Sequence, residues 1–489
     1  MNIHGMNRRR IRTVVLVAVG LAVLVAMAGC SMTVPFGDDT DDSGPATPDG
    51  TETPSPEAES PSPSAGDRDS GSQTETPGGA DSDSGPDDGE STTENGDTAE
   101  ATGEEETTGP ISDTGLPVDE NRVYNLTRDL LGSDADAPTV SVEELNYRSG
   151  ETDRPFFEYM GLTNDTEGGS TGAASAAVAE GPNSVVVNED VLGQYENNSV
   201  DRFGLLLAHE FAHTIQMEEG WSRAELARKL DLSTSESLML YRSLVEGGAV
   251  FTADQYADEE DLELSQIARF DRQYGAAPDE QVYAYAPYHH GGQYFDTVLD
   301  AATGLGAVYT DDTPASTEAV LHPEYNDTEP SRVSFSATSN RTGWERQRST
   351  DDRLGSLFVH VVMTAHADRA VAEKASKGWA NDKVFGFENG SNSAFAWATH
   401  WDTADDADEF AVAFNRTLTS RTDESATNIS VARAGNRSVV VLTGPRTFRN
   451  AIAIDGENAT LDITLQADSD GSVDTWATDS PSRQTAVTG

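Results

Sequence analysis

Apolar residues recur every three or four positions in several segments between residues 122 and 259, and this spacing predicts amphipathic helices. We predict helices at 122–132, 201–218, 221–230 and 235–259. The apolar positions of the second segment include Phe203, Leu206, Leu207, Phe211 and Ile215. A helix with so wide an apolar face is expected to be largely buried.

Two shorter segments are rich in β-branched residues, which favour strands. "TVSVEEL" (139–145) predicts a strand that runs into the start of a helix, and "NSVVVNEDVL" (183–192) predicts a strand followed by a turn. Farther on we predict a loop region at 303–345, a helical and mixed stretch at 351–420 and strands within 428–465. Because helices and strands follow no regular β-α-β alternation, the α+β class is predicted.

The first thirty residues have the pattern of an export signal. Arg8, Arg9, Arg10 and Arg12 precede the apolar run "VVLVAVGLAVLVAMAG", which ends at Cys30. A basic segment, a short apolar segment and small residues before a cleavage point are typical of a signal peptide, here predicted at 1–30. The paired arginines also indicate twin-arginine export, as in haloarchaea; the Sec route stays open.

Cys30 is the only cysteine of the chain, so no disulfide can form within it. Its position after Ala28 and Gly29 resembles a lipobox, with Met27 where Leu or Val is usual. We therefore expect Cys30 to be the lipidated first residue of a mature lipoprotein on the outer face of the cell membrane. The alternative is an uncleaved anchor, for which the apolar run is short.

Residues 31–116 are mainly Asp, Glu, Ser, Thr, Gly and Pro. Such a segment buries too little apolar surface to offset the entropy of ordering it, so a disordered acidic tether is predicted. Folded sequence is expected from about Pro117. Sequons that are candidate glycosylation sites of an exported chain occur from Asn125 to Asn458 and include Asn164, Asn326, Asn389 and Asn436.

The charge of the chain is strongly one-sided, with 85 Asp and Glu against 32 Lys and Arg and a formal net charge of -53. Only Lys229, Lys374, Lys377 and Lys383 are lysines, so the other 28 cations are arginines. Acid-rich and lysine-poor chains are typical of proteins that work in molar salt, where charges are screened within a few ångström. The alternative is an acidic cation-binding surface. Both interpretations disfavour binding to nucleic acid.

The candidate chemistry lies in "AHEFAHTIQ" (208–216). On a helix, His209 and His213 are four residues apart and present both imidazoles on one face, with Glu210 beside them. A catalytic zinc ion takes three protein ligands and a water molecule, and the glutamate of HExxH acts as the general base. The alternative is a hydrogen-bonded pair of core histidines.

Glu246 is the candidate third ligand, since it is a carboxylate in an apolar helical stretch, 33 residues past His213. Gly247 and Gly248 follow it and would let two helices approach closely. The alternative is a solvated glutamate near Arg242. Two neighbours in a segment expected to be a loop, His289 and His290, are rival ligands.

These motifs resemble an uncharacterised group of exported bacterial and archaeal metallopeptidases, of a haloarchaeal lipoprotein type here. The likeness covers about 120–425 and rests on HExxHxxQ followed by EGxA. Further segments similar to that group are "PYHHGGQYFDTVL" (287–299), "TPASTEAVLHPEYN" (313–326), "KGWANDKVFGF" (377–387) and "AWATHWDTADDADEFAVAF" (396–414).

The resemblance implies a gluzincin-type zinc metallopeptidase that cleaves peptides or proteins. It implies His209, His213 and Glu246 as ligands of one Zn²⁺ and Glu210 as the base. We expect a zincin-like core with a largely helical second lobe. The predicted division of the folded chain is a catalytic core at 117–345, a mixed α/β continuation of that core at 346–427, and a β segment with a tail at 428–489. The metzincin type is rejected because Gln216 and Glu219 occupy the positions of its glycine and third histidine.

Several roles stay open. A donor to the oxyanion could be Tyr288, Tyr285 or His290, with Tyr283 and His322 as further candidates, and each could instead be structural. Many gluzincins carry an Asp where Val250 stands, so the group orienting His209 is not identified. "NSVVVNE" (183–189) fits an edge strand that binds substrate or a core strand. Trp379, Trp397 and Trp401 are expected to fill a core.

The function that competes with the peptidase is that of a surface lipoprotein with a structural or storage zinc ion and no catalytic activity.

Overall fold

The computed structural model describes residues 115–145, 155–162, 175–190, 192, 200–324, 329–390, 392–457 and 459–467. All of these residues belong to one of the two units into which the chain divides. The predicted signal peptide at 1–30, the lipidation site Cys30 and nearly all of the predicted tether lie outside the described residues. In the described part of the chain, no helix has both the length and the hydropathy needed to cross a membrane.

Helices make up most of the regular structure. The described helices are α1 (Glu120–Leu131), α2 (Pro155–Met160), α3 (Val200–Glu218), α4 (Ala227–Leu230), α5 (Ser235–Glu259), α6 (Gln266–Ala276), α7 (Asp279–Val298), α8 (Leu305–Thr310), α9 (Thr317–Leu321), α10 (Gly355–Thr364), α11 (Arg369–Ser376), α12 (Ala404–Ser420), α13 (Glu424–Thr427) and α14 (Arg446–Arg449). A π-helical turn at Trp221–Leu226 leads into α4, and a 3-10 turn at Ala302–Gly304 leads into α8.

The strands form three sheets among the described residues. They are β1 (Thr139–Glu143), β2 (Ala177–Gly181), β3 (Ser184–Asn188), β4 (Ser334–Ser339), β5 (Glu345–Asp352), β6 (Trp379–Asn389), β7 (Asn392–Trp401), β8 (Ile429–Ala434), β9 (Ser438–Thr443), β10 (Ile452–Glu457) and β11 (Thr460–Leu465). The orders are β1–β3–β2, β10–β11–β4 and β5–β6–β7–β9–β8. The strands beyond residue 428 therefore share their sheets with strands from 334–401.

The first hydrophobic core lies between the β1–β3–β2 sheet and helices α1, α3, α5 and α7. Helix α3 is buried on nearly all sides in this core, because its five apolar positions from Phe203 to Ile215 are at most 2% exposed. The predicted burial of this helix is confirmed. Its polar residues His209, Glu210 and His213 are buried with it, and buried polar groups need partners.

The second core lies between α2, α10, α11 and α12 and one face of the five-stranded sheet. Trp379, Trp397 and Trp401 are fully buried there, which confirms their predicted structural role. The other face of the sheet packs against β4, β10 and β11.

Most elements predicted from periodicity are present. Helices α1, α3 and α5 confirm the predictions, and α5 spans the predicted residues 235–259. The strands within 428–465 and the α+β class are also confirmed. The loop predicted at 303–345 is wrong, since that region contains α8, α9 and β4. A helix start at 144–145 is also wrong, because these two residues belong to no helix.

Candidate metal centre

Three side chains from two helices converge in the first core. Imidazoles of α3 meet a carboxylate of α5: His213 Nε2 lies 3.2 Å and His209 Nε2 3.7 Å from Glu246 Oε2. The ligand atoms of these residues all lie within 4.8 Å of one another, and among the described residues they form the one such group of His, Cys, Asp or Glu. The three predicted ligands therefore come together in a group that could hold a metal ion.

Glycines bring α5 close to its neighbours at this point. A Cβ atom added to Gly247 would lie 2.6 Å from the carbonyl oxygen of Gly291 on α7, with two further backbone atoms of Gly291 closer still. A Cβ added to Gly248 would overlap the hydroxyl of Tyr309 and lie 3.2 Å from Gln216 Nε2 on α3. Only glycine fits the backbone approach at 247 and the close side-chain contacts at 248, so this pair sets how deeply Glu246 enters the core.

Two glutamines orient the imidazoles. Gln216 Oε1 lies 2.9 Å from His213 Nδ1, and Gln266 Oε1 lies 3.0 Å from His209 Nδ1. Because an amide oxygen only accepts, each Nδ1 is assigned a proton, and Nε2 is the nitrogen that faces Glu246. Second partners of this kind commonly raise the metal affinity of a histidine.

The glutamine amides are themselves held in place. Gln216 Nε2 donates to the carbonyl of Val245 at 3.0 Å and to the hydroxyl of Tyr309 at 2.9 Å. Gln266 Nε2 donates to the carbonyl of Leu205 at 3.2 Å. Each amide orientation is thereby set by the backbone, and with it the orientation of the imidazole that it contacts.

Sequence reasoning did not identify these orienting residues. Gln216 appeared there in HExxHxxQ and as a departure from the metzincin pattern, and its place one turn after His213 was the available signal. Gln266 is 57 residues from His209 and carried no signal, since α6 reaches His209 only through tertiary packing.

The ionisation of the three side chains suits a cation. Burial lowers the pKa of His209 to about 4. Burial also acts to lower the pKa of His213, but the Glu246 carboxylate outweighs it and raises this pKa to about 9. Burial acts to raise the pKa of Glu246, but the two imidazoles hold it well below its usual range. The Glu246 carboxylate is therefore ionised, which is the form that binds metals, and a metal ion would displace the proton that His213 shares with it.

Glu210 lies beside this group and is held by a hydrogen bond from a strand. Its Oε2 accepts a hydrogen bond of 3.0 Å from the backbone N–H of Ala179 on β2. Strand β2 is one of the two edge strands of the β1–β3–β2 sheet, whereas β3 lies in the centre of that sheet. Of the two interpretations for 183–189, the edge strand is therefore wrong, because β3 pairs with β1 on one side and β2 on the other.

The candidate oxyanion donors lie in different places. The ring of Tyr288 on α7 lies 6.4 Å from the ring of His209 and stacks on Phe270, which places it next to the site. Tyr285 packs against the small cluster formed by Tyr288 and Phe270. His290 lies instead beside His360 of α10, with ring centroids 4.7 Å apart. His289 and His290 belong to α7, so the loop expected for them is wrong.

The site is closed to solvent in this conformation. His209, Glu210, His213 and Glu246 are each at most 2% exposed. Tyr288, which stacks beside His209, is also buried. A peptide could therefore reach these side chains only after the surrounding helices open.

Other motifs of the sequence build the structure around α5. At the start of α5, Glu236 accepts hydrogen bonds from the N–H of Thr317 at 2.8 Å and from its hydroxyl at 2.7 Å. Glu318 accepts one of 2.8 Å from the N–H of Gly378. Asp382 accepts one of 2.9 Å from Trp379 Nε1 and two from the backbone at the start of α10. The segments 313–326 and 377–387 thus connect α5, α9, α10 and β6.

Comparison with known proteins gives little beyond this geometry. Residues 341–473 match a family model described as a domain of unknown function, DUF8575. This region holds the five-stranded sheet and its helices and excludes the three candidate ligands. No curated protein and no solved structure matches the chain.

Proposed function

We propose that the protein is a zinc-dependent peptidase whose ion is held by His209, His213 and Glu246. The observation that carries the proposal is Glu210. A carboxylate one residue after a ligand, fully buried and held by a strand N–H, has a place in hydrolysis and none in a purely structural site.

Zinc is the proposed ion because two imidazoles and one carboxylate from two helices are a common donor set for catalytic zinc. When bound, zinc would acidify a water molecule and polarise the scissile carbonyl. Its fourth position would then be available to water or substrate. Oriented imidazoles, held through Gln216 and Gln266, support a preformed site.

The residues of the chain have distinct roles in the proposed reaction. Glu210 takes a proton from the attacking water on a carboxylate oxygen and later gives it to the leaving amine. The hydrogen bond from Ala179 keeps one of its oxygens fixed, and the carboxylate can turn about that contact. Tyr288 is the proposed oxyanion donor because, of the predicted candidates, its ring lies beside His209.

A zincin-like fold and a location outside the cell are part of the same proposal. A zincin-like core is supported by an HExxH helix under the edge strand of a small sheet, with the third ligand on a following helix. Export, lipid anchoring at Cys30 and a place on the outer face of the membrane in high salt rest on the sequence pattern and the charge of -53. The substrate would be a peptide or protein.

One observation favours a second function, a structural or storage zinc ion without turnover. All three ligands and Glu210 are buried, and a structural site is closed to substrate. The peptidase requires an open state in which Tyr288 or a neighbouring side chain of α7 moves away from His209.

Turnover of the Glu210→Gln variant separates the two functions. The assay is cleavage of fluorescently labelled casein by the full chain in multi-molar KCl, together with zinc content. We expect the variant to keep its zinc and lose about 10²–10⁴-fold in rate. Glu218→Gln changes an exposed glutamate of the same helix and should leave both quantities unchanged. An active Glu210→Gln variant, or an inactive wild type with zinc bound, would contradict the peptidase.

A further inference from the structure

A second group of histidines is buried between α7, α9 and α10. It consists of His289 and His290 on α7, His322 directly after α9 and His360 on α10, and each is at most 7% exposed. The ring centroids of His290 and His360 lie 4.7 Å apart, and those of His289 and His290 lie 4.5 Å apart. The group contains four of the nine histidines of the chain.

The pair His290 and His360 repeats the arrangement of the first metal centre. Its rings are 4.7 Å apart with an interplanar angle of 83°, whereas the rings of His209 and His213 are 4.9 Å apart at 84°. In the first centre this arrangement comes from two residues one turn apart on one helix. In the second, two different helices produce it.

Buried nitrogens of the second group lack partners in the protein. The Nε2 atoms of His290 and His360 have no hydrogen-bond partner, although both are inaccessible to solvent. His360 Nδ1 lies 3.4 Å from the hydroxyl of Ser376, which leaves Nε2 as the nitrogen directed away from that contact. A native structure rarely leaves such groups unpaired, so each is expected to meet a water molecule, an ion or another ligand.

Two exposed carboxylates lie at the edge of the group. Asp271 lies 3.8 Å from His289 Nδ1 and pairs with Arg369 at 2.8 Å, and Glu324 lies 3.7 Å from His322 Nδ1. Burial lowers the pKa of His360 to about 3 and that of His290 well below its usual range. The imidazoles are therefore neutral near pH 7, and neutral imidazole is the form that binds metals.

We propose that His290 and His360, with His322 as the third ligand, form a second site for a divalent metal ion that prefers imidazole, such as Zn²⁺, Co²⁺ or Ni²⁺. His322 is chosen because it is buried at the end of α9, and α9 packs against both α7 and α10. His289 instead faces Asp271 and stacks on Tyr274. The ion would join α7 to α9 and α10.

Binding requires the rings to turn. Among the described residues only the ligand atoms of the first centre lie within 4.8 Å of one another, so the nitrogens of the second group must move closer. Turning an imidazole about its Cβ–Cγ bond exchanges the positions of its nitrogen and carbon atoms without moving the backbone. Ring orientations of this kind are assigned from the hydrogen-bond network.

The test is the number of ions bound per chain. The full chain is saturated with Co²⁺ in multi-molar KCl, which screens the exposed carboxylates, passed through a desalting column and analysed by atomic spectrometry. We expect two ions in the wild type, one in His360→Phe, one in Glu246→Ala and none in the double variant. His400→Phe is the matched control, because it removes a buried histidine held by Ser438 outside both groups and should keep two ions.

The result that overturns the proposal is an equal ion count in the wild type and in a folded His360→Phe variant, with folding checked by circular dichroism. If that variant does not fold, the wild type decides, because one ion per chain contradicts a second site. Loss of the ion in Glu246→Ala bears on the first centre alone. The proposed peptidase and the second site can thus fail independently.

Discussion

Replacing Gly247 by alanine should destabilise the protein and disturb the metal centre. Gly247 follows the ligand Glu246 and faces the backbone of Gly291 where α5 and α7 touch. The added Cβ would lie 2.6 Å from the carbonyl oxygen of Gly291, while a relaxed contact between carbon and oxygen is ~3.3 Å. The helices would have to separate by about 0.7 Å or more at this point, because backbone atoms cannot rotate away.

The expected change in the free energy of unfolding follows from two opposing terms. Alanine gains about 1 kcal/mol over glycine inside a helix. Overpacking of a close contact costs ~1–3 kcal/mol, and a clash with backbone belongs at the upper end. The net loss should be about 2 kcal/mol. The affinity for zinc should also fall, since Glu246 moves with the displaced helix.

Urea unfolding in KCl, followed by circular dichroism, measures this change. Gly275→Ala in α6 is the matched control, because the added Cβ meets only the flexible end of Arg369, at 3.2 Å. That variant should gain about 1 kcal/mol from helix propensity. Equal stability of Gly247→Ala and Gly275→Ala would show that α5 and α7 are not in backbone contact at this point.

Two further predictions concern groups around the site. Gln216→Ala and Gln266→Ala should each lower zinc affinity about 10–100-fold, measured by competition with a chelator, since each removes the group orienting one imidazole; unchanged affinity would contradict that role. Burial raises the pKa of Glu236 to about 7 from 4.5, because the folded protein favours the neutral carboxyl group. The stability contributed by this preference is fully present below about pH 4.5 and is lost as the pH rises through about 7. Glu236→Gln should therefore gain stability relative to the wild type between pH 5 and pH 8, by at most about 3 kcal/mol in urea unfolding; a gain independent of pH would contradict it.

The parts of the site that depend on local spacing were predictable from the sequence. His209 and His213 lie on one face because any helix places residues four apart together. Glu246 stood out because an ionisable side chain in an apolar helical stretch needs a partner. The helices at 201–218 and 235–259 followed from the same periodicity.

Features set by tertiary packing were not predictable. Gln266 orients His209 across 57 residues, and no local pattern connects the two. The order β1–β3–β2 places the more apolar strand in the centre, which the alternation within one strand cannot reveal. Pro287, Gly291 and Gly292 interrupt the helical pattern of 279–298, yet α7 continues through them. Gly291 is required there because it touches α5.

The zinc content of the full chain, wild type beside Glu246→Ala, tests the central claim most directly. Both proteins would be purified in high salt, and folding would be checked by circular dichroism. We expect zinc to be bound at the first centre in the wild type and to be weakened or lost in the variant, because the carboxylate 3.2 Å from His213 Nε2 is gone. A folded wild type without zinc, or a Glu246→Ala variant that binds zinc as tightly as the wild type, would contradict the three-ligand site.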